Sequence, residues 1–177
     1  NFENYWFETA TPDFLIKILK KHNFPIESLE NLEADMNELM TFDIETISLS
    51  TLLFQTGYVT IKNYDIFSTN YILGIPNYEV KESLFKSLLA FMTAQGATDI
   101  NSTLSKLREA LTDGKLEIFI KIVKEIYSKI PYDIAVNTEK YYQTIFYLIL
   151  QLINLRASVE VATNIGRIDM VVETSNT

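Results

Sequence analysis

The chain has 177 residues, 47% of them hydrophobic, with five Gly and four Pro, so it is long and apolar enough to bury a core and poor in the composition of disordered segments. It contains no cysteine, which excludes disulfide scaffolds and Cys-based zinc sites. A net charge of −8 with a pI near 4.7 disfavours autonomous nucleic-acid binding, which relies on a basic face toward phosphates.

The chain opens on Asn1 with Phe2, Tyr5, Trp6 and Phe7 and closes on Val171-Val172-Glu173-Thr174-Ser175-Asn176-Thr177. Both ends read as cut from something larger. The opening residues lack the pattern of a secretory signal peptide. The best candidate for a membrane span, Ile145 to Leu155, is too short to cross a bilayer and is read as a buried helix. A soluble, cytoplasmic protein is expected.

Thr11-Pro12-Asp13 predicts a helix start, with Thr11 as cap, Pro12 at the first helical position and Asp13 at the positive end of the dipole. Residues 29–40 read as a loop with short helical pieces. Ser48 to Gln55 predicts a short helix broken by Gly57. Tyr58 to Lys62 and Tyr71 to Leu73 predict two strands joined by 63–70. A helix followed by such a ribbon has the shape of part of a winged helix. Pro76-Asn77 starts the next helix, with Asn77 as cap and a stripe of Val80, Leu84, Leu88 and Phe91 broadened by Phe85 and Leu89. The small, polar stretch Thr93 to Asn101 is the candidate domain boundary.

Two helices are predicted beyond it, Ser102 to Leu111 and Lys115 to Lys129, separated by Asp113-Gly114. In the second, Leu116, Phe119, Ile120, Val123, Ile126 and Tyr127 recur with a 3.6-residue period. Pro131 stops it. Thr138 to Leu155 is apolar almost all round, which predicts burial on several sides. The period then changes: Ser158 to Thr163 and Arg167 to Glu173 predict a hairpin through Asn164-Ile165-Gly166, with Gly166 in the left-handed position.

Much chemistry is absent. There is no Walker-type phosphate loop and no Gly-x-Ser-x-Gly element. His22 is the single histidine, so metal sites built on several histidines are excluded. After Lys20 and Lys21 it is best read as a residue favoured by a helix C-terminus. What remains is acidic: Glu139 at the start of the apolar helix, Glu160 in the first strand of the final hairpin and Asp169 in the second. Carboxylates converging from a helix and a hairpin suit a hard cation such as Mg²⁺. The bland alternatives are a helix-dipole role for Glu139 and solvated strand positions for the other two.

Three words in the first half resemble signatures at the C-terminal end of the AAA-ATPase-like module of a bacterial family: Trp6 to Leu15, Leu52 to Ile61 and Leu73 to Val80. Position 10 is Ala where the family often has Gly. In that family a PD-(D/E)XK nuclease-superfamily domain follows. Glu139-Lys140-Tyr141-Tyr142-Gln143 with Phe146-Tyr147-Leu148 resembles its first helix, and Gly166 to Thr174 resembles its metal-binding strand. The resemblance implies a catalytic role for Asp169 as metal ligand and for Glu139 as auxiliary helix acid. The family pattern next requires a strand with an acidic residue and a lysine, which this chain does not reach.

The expected architecture is mixed α/β and mainly helical. Residues 1–95 are expected to be the helical, winged-helix-like end of an ATPase-like module. Residues 102–177 are expected to be the truncated start of a restriction-endonuclease-like α/β domain ending in an antiparallel hairpin. The resemblance implies Mg²⁺ for the complete parent site and ATP for the upstream module, with no ATP bound by this piece. Nucleic acid is the implied partner of the parent, with weak or no binding by this acidic piece and no membrane partner. An exposed edge after Glu173 would suit a dimer of edge strands. The rival readings are a protein- or DNA-binding winged-helix-type module and a structural protein whose nuclease site has decayed.

Overall fold

A computed structural model of the chain describes residues 25–41, 48–130, 138–154, 156–163 and 166–173, the last two stretches as backbone alone. The predicted helix after Thr11, and His22 with it, lie outside these residues. The fold is mixed α/β and mainly helical. The chain divides into two compact units, residues 1–84 and 85–177.

The first unit is built on a small sheet. A 3₁₀ turn, Ile26–Glu30, leads into β1 (Leu32–Ala34) and α1 (Met36–Leu39). These are followed by α2 (Leu49–Gln55), β2 (Thr60–Asp65) and β3 (Asn70–Gly74). The strands are antiparallel in the order β1-β3-β2. Within the predicted loop at 29–40, β1 is the element the sequence concealed. Leu32 and Ala34 are buried and Glu33 is exposed, but three residues of alternation are too few to stand out.

Both short helices are held by side chains. Asp35 Oδ1 accepts from Glu38 N at 2.8 Å, and Ser48 Oγ accepts from Thr51 N at 3.1 Å, each satisfying a donor that a helix start leaves open. The buried Thr51 hydroxyl donates to Glu38 O at 2.7 Å, which ties α2 to α1. Gly57 takes φ +80°, a conformation costly for a residue with a Cβ. The turn it makes lets Tyr58 N and Val59 N both donate to Leu53 O, at 2.9 and 3.2 Å.

Both predicted strands are present, the first displaced to Thr60–Asp65 so that Tyr58 and Val59 precede it, the second extended to Asn70–Gly74. The connection shrinks to residues 66–69 because pairing continues through Tyr64↔Tyr71 and Asp65↔Asn70 beyond a bulge between Ile61 and Asn63. The Tyr64 and Tyr71 rings lie 5.0 Å apart, a cross-strand contact of the stabilising kind. At the tip, Asp65 accepts from Phe67 N at 2.9 Å and from the Ser68 hydroxyl at 2.8 Å. These hydrogen bonds, the Phe67 amide first, hold its carboxyl below the usual carboxylate range. Phe67 stands fully exposed and Ile66 is 77% exposed.

Gly74 has a steric role. A Cβ there would sit 2.9 Å from Glu30 O and 3.2 Å from Lys62 Cγ. The backbone carbonyl cannot move aside as a side chain can. Gly74→Ala is therefore expected to cost about 1–3 kcal/mol, seen as a lower urea midpoint with unchanged slope. An unchanged midpoint would show that the 3₁₀ turn yields freely.

In chain order there follow α3 (Tyr78–Thr93), within which the division between units falls, then α4 (Ala97–Thr112), α5 (Leu116–Ser128) and α6 (Thr138–Leu152). Asn77 Oδ1 accepts from Val80 N at 2.9 Å, the cap that the sequence predicted for α3. The helix predicted from Ser102 begins earlier, at Ala97. Its polar first turn exposes Thr98, Asp99 and Asn101 and buries Ile100. In α5 only Phe119, Val123 and Ile126 of the predicted stripe are buried to the full, whereas Leu116 and Ile120 are 59% and 43% exposed. The buried face is thus a narrow i, i+4, i+7 line.

The expectation of a helix buried on several sides holds for α6, where Ile145, Tyr147, Leu148, Ile149, Leu150 and Leu152 are all buried. It stops at Leu152, short of the predicted Leu155, as Asn154 turns to φ +66°. Arg108 donates to Leu152 O at 2.9 Å, satisfying a carbonyl that the helix end leaves open. β4 (Arg156–Thr163) and β5 (Gly166–Glu173) then form an antiparallel pair. Thr163 pairs with Gly166, so Gly166 is the first residue of β5 rather than part of the connection. Among the described residues no helix is long and apolar enough to cross a membrane.

Candidate functional site

Glu139 lies in the first turn of α6 and is exposed. At that position its charge favours the positive end of the helix. Asp169 lies in the middle of β5 and Glu160 in β4. Their strands are described, but their side chains lie outside the described residues. The pairs Val159↔Met170 and Val161↔Ile168 flank Glu160 and Asp169, so the two acids occupy neighbouring cross-strand positions. Like charges there are mutually destabilising unless a cation offsets them. Carboxylate oxygens are the donors that Mg²⁺ takes.

α6 contacts β4. Glu139, however, sits at the end of α6 away from the link to β4, roughly 20 Å along the axis at 1.5 Å per residue. Among the residues whose side chains are described, which include neither Glu160 nor Asp169, no group of three or more His, Cys, Asp or Glu could hold a metal ion. The hairpin register thus brings Asp169 and Glu160 to adjacent positions, and Glu139 belongs to the helix that precedes the hairpin.

Around the start of α6 the structure reveals a cluster that sequence reasoning missed. The Tyr127 hydroxyl, on α5, donates to Tyr142 O at 3.0 Å, and the Tyr141 hydroxyl donates to Met92 O, in the last turn of α3, at 2.7 Å. The rings of Tyr127 and Tyr142 are 4.9 Å apart, and those of Tyr141 and Tyr142 meet edge to face at 6.3 Å. Tyr127 passes in sequence for one more apolar residue of the α5 stripe. The only signal was the excess of Tyr, ten in the chain.

Burial, then the nearby Tyr142, pushes the Tyr127 and Tyr141 hydroxyls from 10.0 up to about 12. A tyrosine with a raised folded pKa contributes stability that is complete below its unfolded pKa and lost as pH rises through the folded one. Stability is therefore expected to fall between pH 10 and about 12. Ultraviolet phenolate titration should show Tyr127 and Tyr141 ionising late together with unfolding, with the buried Tyr58 also shifted upward. Ionisation of all ten near the ordinary value would overturn this.

Residues 137–177 match the PD-(D/E)XK nuclease superfamily. The matched stretch contains α6, β4 and β5, and with them Glu139, Glu160 and Asp169. The chain is also similar to an uncharacterized protein in the vnfD 5' region of Azotobacter chroococcum mcd 1, 33% identical over 178 residues covering 97% of this chain. The chain spans about a third of that relative's length, 34%. No solved structure matches the chain.

Proposed function

We propose that this chain joins the end of an AAA-ATPase-like module, residues 1 to about 95, to the start of a Mg²⁺-dependent PD-(D/E)XK nuclease-like domain from about residue 102. The observation that carries the reading is the superfamily match at 137–177, which coincides with a helix followed by an antiparallel hairpin. Asp169 is the metal ligand in this reading and Glu139 the auxiliary acid. The cation would supply charge stabilisation on a scissile phosphate. The chain's own part is to hold the carboxylates on a strand and a helix. The fragment alone is inactive in this reading, since the acid-lysine strand and the Walker elements are not in it.

Calorimetry of Mg²⁺ and Mn²⁺ binding to the chain and to Asp169→Asn tests the metal site. Weak binding lost in the variant supports the reading. In the full-length gene product, Asp169→Ala should reduce metal-dependent nucleic-acid cleavage by at least about a hundredfold. Cleavage that survives the substitution would sink the nuclease proposal.

A second reading concerns residues 48–74. The helix Leu49–Gln55 followed by the antiparallel pair β2-β3, with β1 from outside this stretch on the other side of β3, is compatible with a winged-helix arrangement. Lys62 is the one cation in 48–74, and its Nζ donates to Pro76 O at 3.1 Å. The hairpin tip exposes Ile66 and Phe67. This surface suits an apolar protein contact better than a phosphate backbone. Salt-dependent DNA binding, abolished by Lys62→Ala, would reverse that preference.

A further inference from the structure

Helix starts are the natural place for fraying, since their first donors have no partner within the helix. The start of α6 is held from two sides. Tyr127, on α5, donates its hydroxyl to Tyr142 O at 3.0 Å. Tyr141, on α6 itself, donates to Met92 O at 2.7 Å. Met92 is in the last turn of α3, so Tyr141 also serves one of the carbonyls that a helix C-terminus leaves open. The Tyr142 ring packs between the other two, at 4.9 Å from Tyr127 and 6.3 Å from Tyr141.

Glu139 is three residues from Tyr142, on the same face of the helix one turn earlier. It is exposed, so its place depends on where the turn beneath it is held. The bond from Tyr127 ties this turn to α5, and the bond from Tyr141 ties it to the last turn of α3. Reaction rates respond steeply to misplacement of such a group.

We infer that Tyr127 and Tyr141 are positioning residues for Glu139, a brace from α5 and α3 that orients the acid at the start of α6. The inference rests on the nuclease reading for its consequence in catalysis, but the brace itself is independent of that reading.

The test separates the two. In the full-length gene product, Tyr127→Phe and Tyr141→Phe keep each ring and remove only the hydroxyl. Each is expected to lower kcat for Mg²⁺-dependent cleavage of a DNA duplex about tenfold, with KM unchanged. In a Glu139→Gln background the same substitutions should change kcat less than about twofold, because a residue that acts through Glu139 has nothing left to position. Equal losses in both backgrounds, or no loss in either, overturn the inference.

Hydrogen exchange provides the second readout and needs no activity. Each variant should speed exchange of the Tyr142 to Phe146 amides about fivefold, the equivalent of one hydrogen bond, while amides within α4 stay unchanged. Unchanged exchange in α6 overturns the brace whether or not the protein cleaves. If Asp169→Ala leaves cleavage intact while exchange behaves as expected, it is the nuclease reading that has failed and the brace that stands.

Discussion

Phe85→Ala is expected to destabilise the second unit by about 3–5 kcal/mol, the largest effect of any substitution considered for this chain. Phe85 is fully buried in α3, and its ring lies 6.2 Å from that of Tyr147 on α6 at a tilt of 57°. Truncation removes the transfer free energy of the ring and the contacts around it. Its neighbours Leu88 and Leu89 are 2% and 1% exposed and Tyr147 is 5% exposed, so they are already committed and leave a cavity that cannot fully close. Phe85→Leu, which keeps most of the volume, should lose much less. Urea unfolding followed by circular dichroism measures both, and a loss below about 1 kcal/mol for the alanine variant would mean that the site collapses freely.

The second large effect is expected in the first unit. Leu53→Ala should cost about 2–5 kcal/mol. Leu53 is wholly buried on α2, with the buried Tyr58 and Val59 just beyond the Gly57 turn. Its carbonyl accepts both of their amides, so the side chain packs at the point where the backbone reverses. A cavity there loosens the turn as well as the core. Hydrogen exchange at Tyr58 and Val59 should accelerate along with the drop in urea midpoint. Full protection of those amides in the variant would separate the turn from the packing and count against this account.

Much of the fold was legible because its elements announce themselves locally. The 3.6-residue stripes of α3 and α5, the all-round apolar run of α6, the Asn77 cap and the breaks at Gly57 and Gly114 are short-range signals, and helices and turns stand where they point. What escaped depends on partners distant in sequence. β1 exists because Leu32↔Leu73 and Ala34↔Tyr71 pair across some forty residues, and nothing within Leu32–Ala34 itself marks a strand. The early start of α4 escaped because a solvated first turn looks like a linker. The exposure of Leu116 and Ile120 depends on which neighbours α5 meets, which periodicity does not reveal.

The candidate site was legible only as residue types. Asp169 and Glu160 could be named from the alternation of the last two strands, and the hairpin register then made them cross-strand neighbours. The tyrosine brace could not be read in advance, since it joins Tyr127, Tyr141 and Met92 from three helices. The family words behave similarly. Leu73-Gly74-Ile75 and the stretch from Leu53 to Val59 supply five buried side chains (Leu53, Tyr58, Val59, Leu73 and Ile75), one close backbone approach and one left-handed glycine. Their distinctiveness is therefore that of a fold, and it is Asp169 and Glu139 that would carry any chemistry.

The irregularity at Lys62 in β2 bears on how this protein behaves when crowded. β2 is an outer strand of the three-stranded sheet, and an even outer strand is a template on which another molecule can lay its own backbone. Here the regular repeat of donors and acceptors is interrupted between Ile61 and Asn63. The interruption falls at a lysine, whose ammonium is drawn to Pro76 O. An incoming strand would meet a broken hydrogen-bond register and a cation to be displaced or desolvated at the same point. Ile66 and Phe67 are thus displayed at the tip of this hairpin, while its flank is made a poor template for an added strand.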